Sequence, residues 1–296
     1  MLFRSRPSLG QWKNVANFGG WITGAGFATT GCSEGIKFVL GGLLTPGSVA
    51  LYERAEQLPR LSRQALFAPV GRVLVPSFSR KIEKRQSIGA DVEAYVAALT
   101  VLLWPMCGVM GFISVPLVVF LFGENWRMAG EILPFLLAAM AIRAALPTPN
   151  EILIPHGLVR RLAMLRFSHF IFTVALGTLG ALHSLEMFAI LQILVSILFL
   201  TANYLAIRNH IDTSIRSLLP HYRSAAIVTL ITALPPLSAF FYYSSAMDVT
   251  ILGLTFGLAG VFWLFGLYVV GHPLTSEITR ARKMLIERYR VRRAVR

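Results

Sequence analysis

Apolar stretches long enough to cross a membrane alternate with short polar gaps along most of the chain, and the gaps differ by turns in charge. With about 20 mostly apolar residues taken as one crossing, the pattern predicts eight spans. They run Val15 to Leu40, Val49 to Val75, Tyr95 to Phe122, Glu131 to Ile154, Met164 to Leu182, Met187 to Ile207, Ala225 to Tyr243, and Val249 to Val270. Every second gap is basic. Arg80, Lys81, Lys84 and Arg85 fill one, Arg160, Arg161 and Arg166 the next, Arg208, Arg216 and Arg223 a third, and arginines from Arg280 to Arg296 crowd the tail. The intervening connections, 41–48, 123–130, 183–186 and 244–248, offer Arg127 as their one clear cation. Basic loops stay on the cytoplasmic side, so both termini are expected to be cytoplasmic.

Composition supports this pattern. The chain has 296 residues, of which 55% are hydrophobic and 14% charged, against roughly a quarter charged in a soluble domain. The formal charge of +14 raises nucleic acid as a partner, but the cations flank apolar spans instead of covering a soluble face, which favours anionic lipid headgroups and excludes nucleic acid. The fold class is therefore all-α, a polytopic transmembrane helix bundle. It divides into an N-terminal cytoplasmic segment (1–14), the bundle (15–274), and a basic tail (275–296) whose Ile278, Ala281, Leu285 and Tyr289 alternate with arginines as in an interfacial amphipathic helix. Met1 to Trp12 carry Arg4 and Arg6 without a compact apolar core, so no signal peptide is expected.

The spans are unequal. The first two carry charge at membrane depth: Glu34 and Lys37, then Glu53, Arg54, Glu56, Arg60, Arg63 and Arg72, while the fourth adds Arg143. Such groups usually face a protein interior or a hydrated cavity, which the first two helices are expected to line. Prolines at 59, 69, 76, 105, 116, 147, 149 and 155 each remove a helical donor and are expected to bend the rods.

Glu34 and Lys37 stand three apart and can neutralise one another, either as an ion pair that permits insertion or as a coupling group. Arg54, Arg60, Arg63, Arg72 and Arg143 are candidates for an anion, because guanidinium forks match phosphate oxygens. Six histidines show no metal-enzyme spacing, Cys32 and Cys107 form no CxxC pair, and no Walker sequence occurs, so neither metal nor cofactor is expected. Gly20 with Gly24, and Gly253 with Gly257, are small-residue pairs that suggest close helix approach.

The segments LYERAEQLP (51–59) and APVGRVLVPSFSR (68–80), followed by FGENW (122–126) with Ala129, Leu133 and Arg143, resemble the polysaccharide transporter family, the lipid-linked oligosaccharide flippases of the multidrug and oligosaccharidyl-lipid exporter superfamily. The likeness covers roughly residues 15–160; a glycine is common in the family where this chain has Ala50. It implies a fourteen-helix, two-lobed fold in which this chain supplies helices seven to fourteen, the second lobe plus the final pair. A separate chain is then expected to supply the first lobe. The implied location is the bacterial cytoplasmic (inner) membrane. The implied function is movement of an undecaprenyl-pyrophosphate-linked oligosaccharide between leaflets for exopolysaccharide, capsule or lipopolysaccharide synthesis, with the five arginines binding and no residue catalysing. The rival readings are a membrane enzyme, a polymerase or ligase of lipid-linked sugars, and a nonfunctional or accessory half transporter without its own path.

Overall fold

A computed structural model describes residues 12–243 and 248–272, apart from the side chains of residue 14 and of residues 67–75. The fold is all-α, with no strand among the described residues. In chain order the helices are α1 (Trp12–Leu43), α2 (Pro46–Glu83), α3 (Gly89–Phe112), α4 (Ser114–Phe122), α5 (Arg127–Arg143), α6 (Pro149–Leu153), α7 (Val159–Ala181), α8 (Leu185–Ile207), α9 (Ile215–Tyr243) and α10 (Val249–Val270), with a 3-10 turn at Glu124–Trp126. The expected basic tail lies outside the described residues, and the described chain is already helical at Trp12, before the expected start of the bundle.

Each predicted span has a helical counterpart, but two of the eight are divided. The third parts at Ile113 into α3 and α4, and the fourth parts at 144–148 into α5 and α6. Among the described residues five helices, α3, α7, α8, α9 and α10, are long and apolar enough to cross a membrane. The others fall short for visible reasons. α1 is rich in glycine and threonine, α2 carries the charges already named, and α5 has only 17 residues. α2 has 38 residues, about 57 Å at 1.5 Å per residue, nearly twice a hydrocarbon core of about 30 Å. It starts cleanly because Thr45 Oγ1 accepts the Ser48 N–H and Pro46 opens the first turn.

α1 lies along α7, α7 along α8, α8 along α5, α5 along α2, and α2 returns to α1. These five helices form a ring. α3 packs behind α2 and α5, with α9 against α3 and α10 against α9. Leu230, Phe241, Val261, Phe265 and Tyr268 on the last two helices are exposed, as suits a lipid-facing layer.

Among the described residues a small apolar cluster of Val101, Val228 and Leu267 ties α3, α9 and α10 together, and two larger ones hold the rest of the bundle. One gathers Phe78, Tyr95, Ile152, Leu153, Leu162, Ile207 and Leu218 at the end where the basic connections lie. The other gathers Leu40, Ala55, Ile113, Leu133, Leu137, Phe188 and Leu252 toward the opposite end.

The glycine pairs marked in the sequence are not the points of closest approach. A Cβ on Gly20, Gly253 or Gly257 meets nothing, and one on Gly24 meets only Phe167 at ordinary contact distance. The close approaches fall elsewhere. At Gly31 and Gly35 a Cβ would come within 3.1 Å of Phe170 and 3.0 Å of Val174 on α7, and at Gly180 it would stand 2.6 Å from the backbone of Phe188 on α8.

The prolines also divide into two groups. α2 runs unbroken through Pro59, Pro69 and Pro76, and α3 through Pro105, so at these positions the expected disruption does not end the helix. Pro147 and Pro149 stand at the break between α5 and α6, Pro155 in the turn between α6 and α7, and Pro116 in the first turn of α4, where a missing N–H costs nothing. At the break the freed carbonyls find side-chain donors: Trp104 Nε1 to Ala141 O at 3.0 Å, Tyr222 Oη to Ala145 O at 2.6 Å, and Asn203 Nδ2 to Pro147 O at 3.1 Å. Three different helices thereby satisfy one interrupted rod, as a broken helix at membrane depth requires.

Candidate functional site

The ring encloses a cavity of about 490 Å³, lined from α1, α2, the α5–α6 break, α7 and α8. That volume lies within the roughly 300–1,000 Å³ of small-ligand sites. Its position follows from helix geometry.

On α2, Tyr52, Glu56, Arg60 and Arg63 recur at steps of four, four and three, so they share one face. All four line the cavity. Tyr52 is anchored edge-on against Phe188, ring centroids 5.6 Å apart. Arg54 is two residues from Tyr52, about 200° around the helix, and does not line the cavity. Its guanidinium stacks over Trp126 at 4.6 Å and Phe122 at 4.9 Å, and Nη1 donates to Gln57 Oε1. The expectation that Arg54 joins the anion site is therefore corrected by the helix period. Arg72 falls among the residues whose side chains are not described.

Arg143 comes from the last turn of α5, where a cation also complements the helix dipole. Its Nη1 donates to Ser196 Oγ on α8 at 2.8 Å. Arg166 joins it from α7, held by Asn150 Oδ1 at 3.2 Å and lying 5.7 Å from the Phe199 ring. Read from the sequence as a loop cation, Arg166 instead sits inside α7 and lines the cavity.

Lys37 bridges Glu34 at 3.2 Å and Glu53 at 3.0 Å. The expected pair is thus a three-membered clasp that ties α1 to α2. The three side chains are 38%, 51% and 52% exposed, so the clasp contributes little net stability, and its two carboxylates more than neutralise Lys37. Of the remaining charges lining the cavity, Arg60, Arg63, Arg143 and Arg166 face the single carboxylate Glu56, which senses Arg143, Arg63 and Arg60 electrostatically. None of the four arginines closes an ion pair among the described residues. The cavity therefore carries a surplus of unpaired guanidinium charge.

Several lining residues escaped the sequence reading. His169 on α7 places Nδ1 3.5 Å from Cys32 Sγ, and Gln192, Phe199 and Asn203 come from α8. The available signal was the step of four, three and four through Gln192, Ser196, Phe199 and Asn203, a polar and aromatic stripe in an otherwise aliphatic span.

Residues 2–131 match the family described as polysaccharide biosynthesis protein. No curated protein and no solved structure matches the chain. The matched segment includes Lys37, Glu53, Glu56, Arg60 and Arg63 and stops before Arg143 and the α7–α8 wall. It supports a role in polysaccharide biosynthesis, and the five apolar helices are those of a multi-pass membrane protein.

Proposed function

We propose that the chain translocates a lipid-linked oligosaccharide across the cytoplasmic membrane, with the diphosphate of its undecaprenyl carrier held in the ring cavity. The observation that carries this reading is the convergence of Arg60, Arg63, Arg143 and Arg166, from three helices, on one cavity whose lysine is already neutralised. Forked guanidinium groups suit diphosphate oxygens in a low-dielectric setting. The resemblance of 51–80 and 122–143 to flippases and the polysaccharide family match agree in direction.

The basic residues support an orientation. Arg80 and Lys81 end α2, Arg160 and Arg161 open α7, Arg208 follows α8, and Arg216 opens α9. These ends share one apolar cluster, and Arg161 Nη1 reaches Ala206 O at 3.2 Å. One face of the bundle is therefore basic, and we assign it to the cytoplasm.

Movement of the substrate requires a second bundle to rock against the ring; the exposed Phe27 and Phe38 of α1 offer apolar surface for it. The chain binds and moves its substrate without making or breaking bonds. A leaflet-resolved assay with labelled lipid-linked oligosaccharide in vesicles tests this. Translocation that drops at least ten-fold in Arg60→Gln/Arg63→Gln supports the assignment, and unchanged translocation refutes the anion path. Sugar transfer by the purified chain would replace the carrier reading with the enzyme reading.

A further inference from the structure

The cavity has two chemically different walls. α2, α5 and α7 present guanidinium groups, that of Arg166 lying 5.7 Å from the Phe199 ring, whereas α8 presents Gln192, Phe199 and Asn203, with Ser196 on the same stripe. From Gln192 to Asn203 this stripe extends about 16 Å at 1.5 Å per residue.

Three polar atoms on or facing that wall are buried without a partner: Nε2 of Gln192, Oδ1 of Asn203 and Nε2 of His169. Gln192 is 5% exposed and Asn203 2%. Buried polar groups are normally hydrogen-bonded, so each such atom calls for an explanation. Asn203 already spends its amide nitrogen on Pro147 O, which leaves an acceptor. The Gln192 nitrogen lies toward Gly177, and half a turn about its soft terminal torsion exchanges the amide nitrogen and oxygen, so the group can present either a donor or an acceptor. Between them the Phe199 ring stands 4.4 Å from the His169 ring.

An acceptor such as Asn203 Oδ1 disfavours a second oxyanion, and unpaired amides disfavour a lipid tail. Hydroxyl groups, which donate and accept, satisfy both, and a flat aromatic ring suits the C–H face of a sugar. We propose that the α8 wall is a subsite for a neutral, hydroxyl-bearing sugar. The sugar lies along Gln192, Phe199 and Asn203, next to the diphosphate on the arginines, with the Arg143–Ser196 contact at the junction. This proposal rests on the anion cavity proposed above.

Cys32 lines the cavity and Cys107 is buried, so the rate of Cys32 alkylation, resolved by mass spectrometry, reports occupancy of the site. The probes are N,N′-diacetylchitobiose, a set of neutral methyl glycosides, and inorganic pyrophosphate, applied to the full chain in lipid nanodiscs. At least one neutral sugar and pyrophosphate should each slow alkylation. Gln192→Leu should weaken protection by the sugar about ten-fold, the scale of one lost hydrogen bond, and leave pyrophosphate unaffected. Arg60→Gln/Arg63→Gln should do the reverse. Protection by pyrophosphate with none by any sugar overturns the sugar subsite and leaves the anion reading intact. Protection by neither overturns both. Loss of both in Gln192→Leu shows a structural role and overturns the proposal.

Discussion

Trp263 on α10 donates its indole N–H to the carbonyl of Val101 on α3 at 3.0 Å. In an unbroken helix that carbonyl would accept from the residue four positions later, which is Pro105, and proline has no N–H to give. The last helix thus repairs a bond that the sequence of α3 removes. Trp263→Phe should destabilise the bundle by about 1–3 kcal/mol, the cost of a buried unsatisfied acceptor. The same change in a Pro105→Ala background should cost less, because the helix then supplies its own donor. Unfolding of the four chains of this double-mutant cycle in detergent measures the coupling, and strict additivity would disprove the repair.

The surplus of arginine predicts a charge preference at Cys32. A sulfonate-bearing methanethiosulfonate should modify Cys32 faster than its trimethylammonium counterpart by about ten-fold or more, as cationic clefts concentrate anions. Arg60→Gln/Arg63→Gln should narrow the ratio, and added salt should narrow it further. Equal rates in the native chain would mean that the guanidinium charge is not presented to the cavity.

Periodicity made the helices legible, because long apolar runs and basic gaps are one-dimensional signals. Glu34, Lys37, Arg60, Arg63 and Arg143 stand out on the same basis, as charge among apolar neighbours, and all five line the cavity. Arg54 and Arg166 were misplaced because a charge is visible in sequence while the helical face it occupies depends on its register with others. Two residues of offset turn Arg54 onto Trp126 and Phe122. The neutral stripe on α8 was invisible to a search for charge. The effect of the prolines depended on partners far away in sequence: Tyr222 answers Ala145 across 77 residues, and nothing local foretells it.

The basic face contains a proton-sensitive contact. Arg161 Nη1 lies 3.3 Å from His210 Nε2, so the ring accepts there, and the His156 ring stands 4.9 Å away. Burial, reinforced by His156 and Arg161 and opposed by Asp212, pushes His210 below its ordinary range. The unfolded chain then binds the proton more readily than the folded one. Stability should hold above the unfolded value of about 6.5 and decline as pH falls below it. Melting curves between about pH 7.5 and about pH 5.5 should show this decline reduced in His210→Gln. An unchanged slope in that variant would remove His210 from the cause.

Arg54 and Arg60 are six residues apart on α2 and should behave oppositely. Arg54 stacks over Trp126 and Phe122, outside the cavity, so Arg54→Met should lower stability by about 1 kcal/mol and change pyrophosphate affinity by less than about two-fold. Arg60 makes no hydrogen bond or ion pair among the described residues and lines the cavity. Arg60→Met should therefore leave the melting temperature nearly unchanged, or raise it by relieving repulsion among the arginines, while weakening pyrophosphate binding about ten-fold. Melting temperature and pyrophosphate protection of Cys32, measured on the same two samples, separate the cases. An affinity loss in Arg54→Met as large as that in Arg60→Met would return Arg54 to the anion site and contradict the assignment made from its helical face.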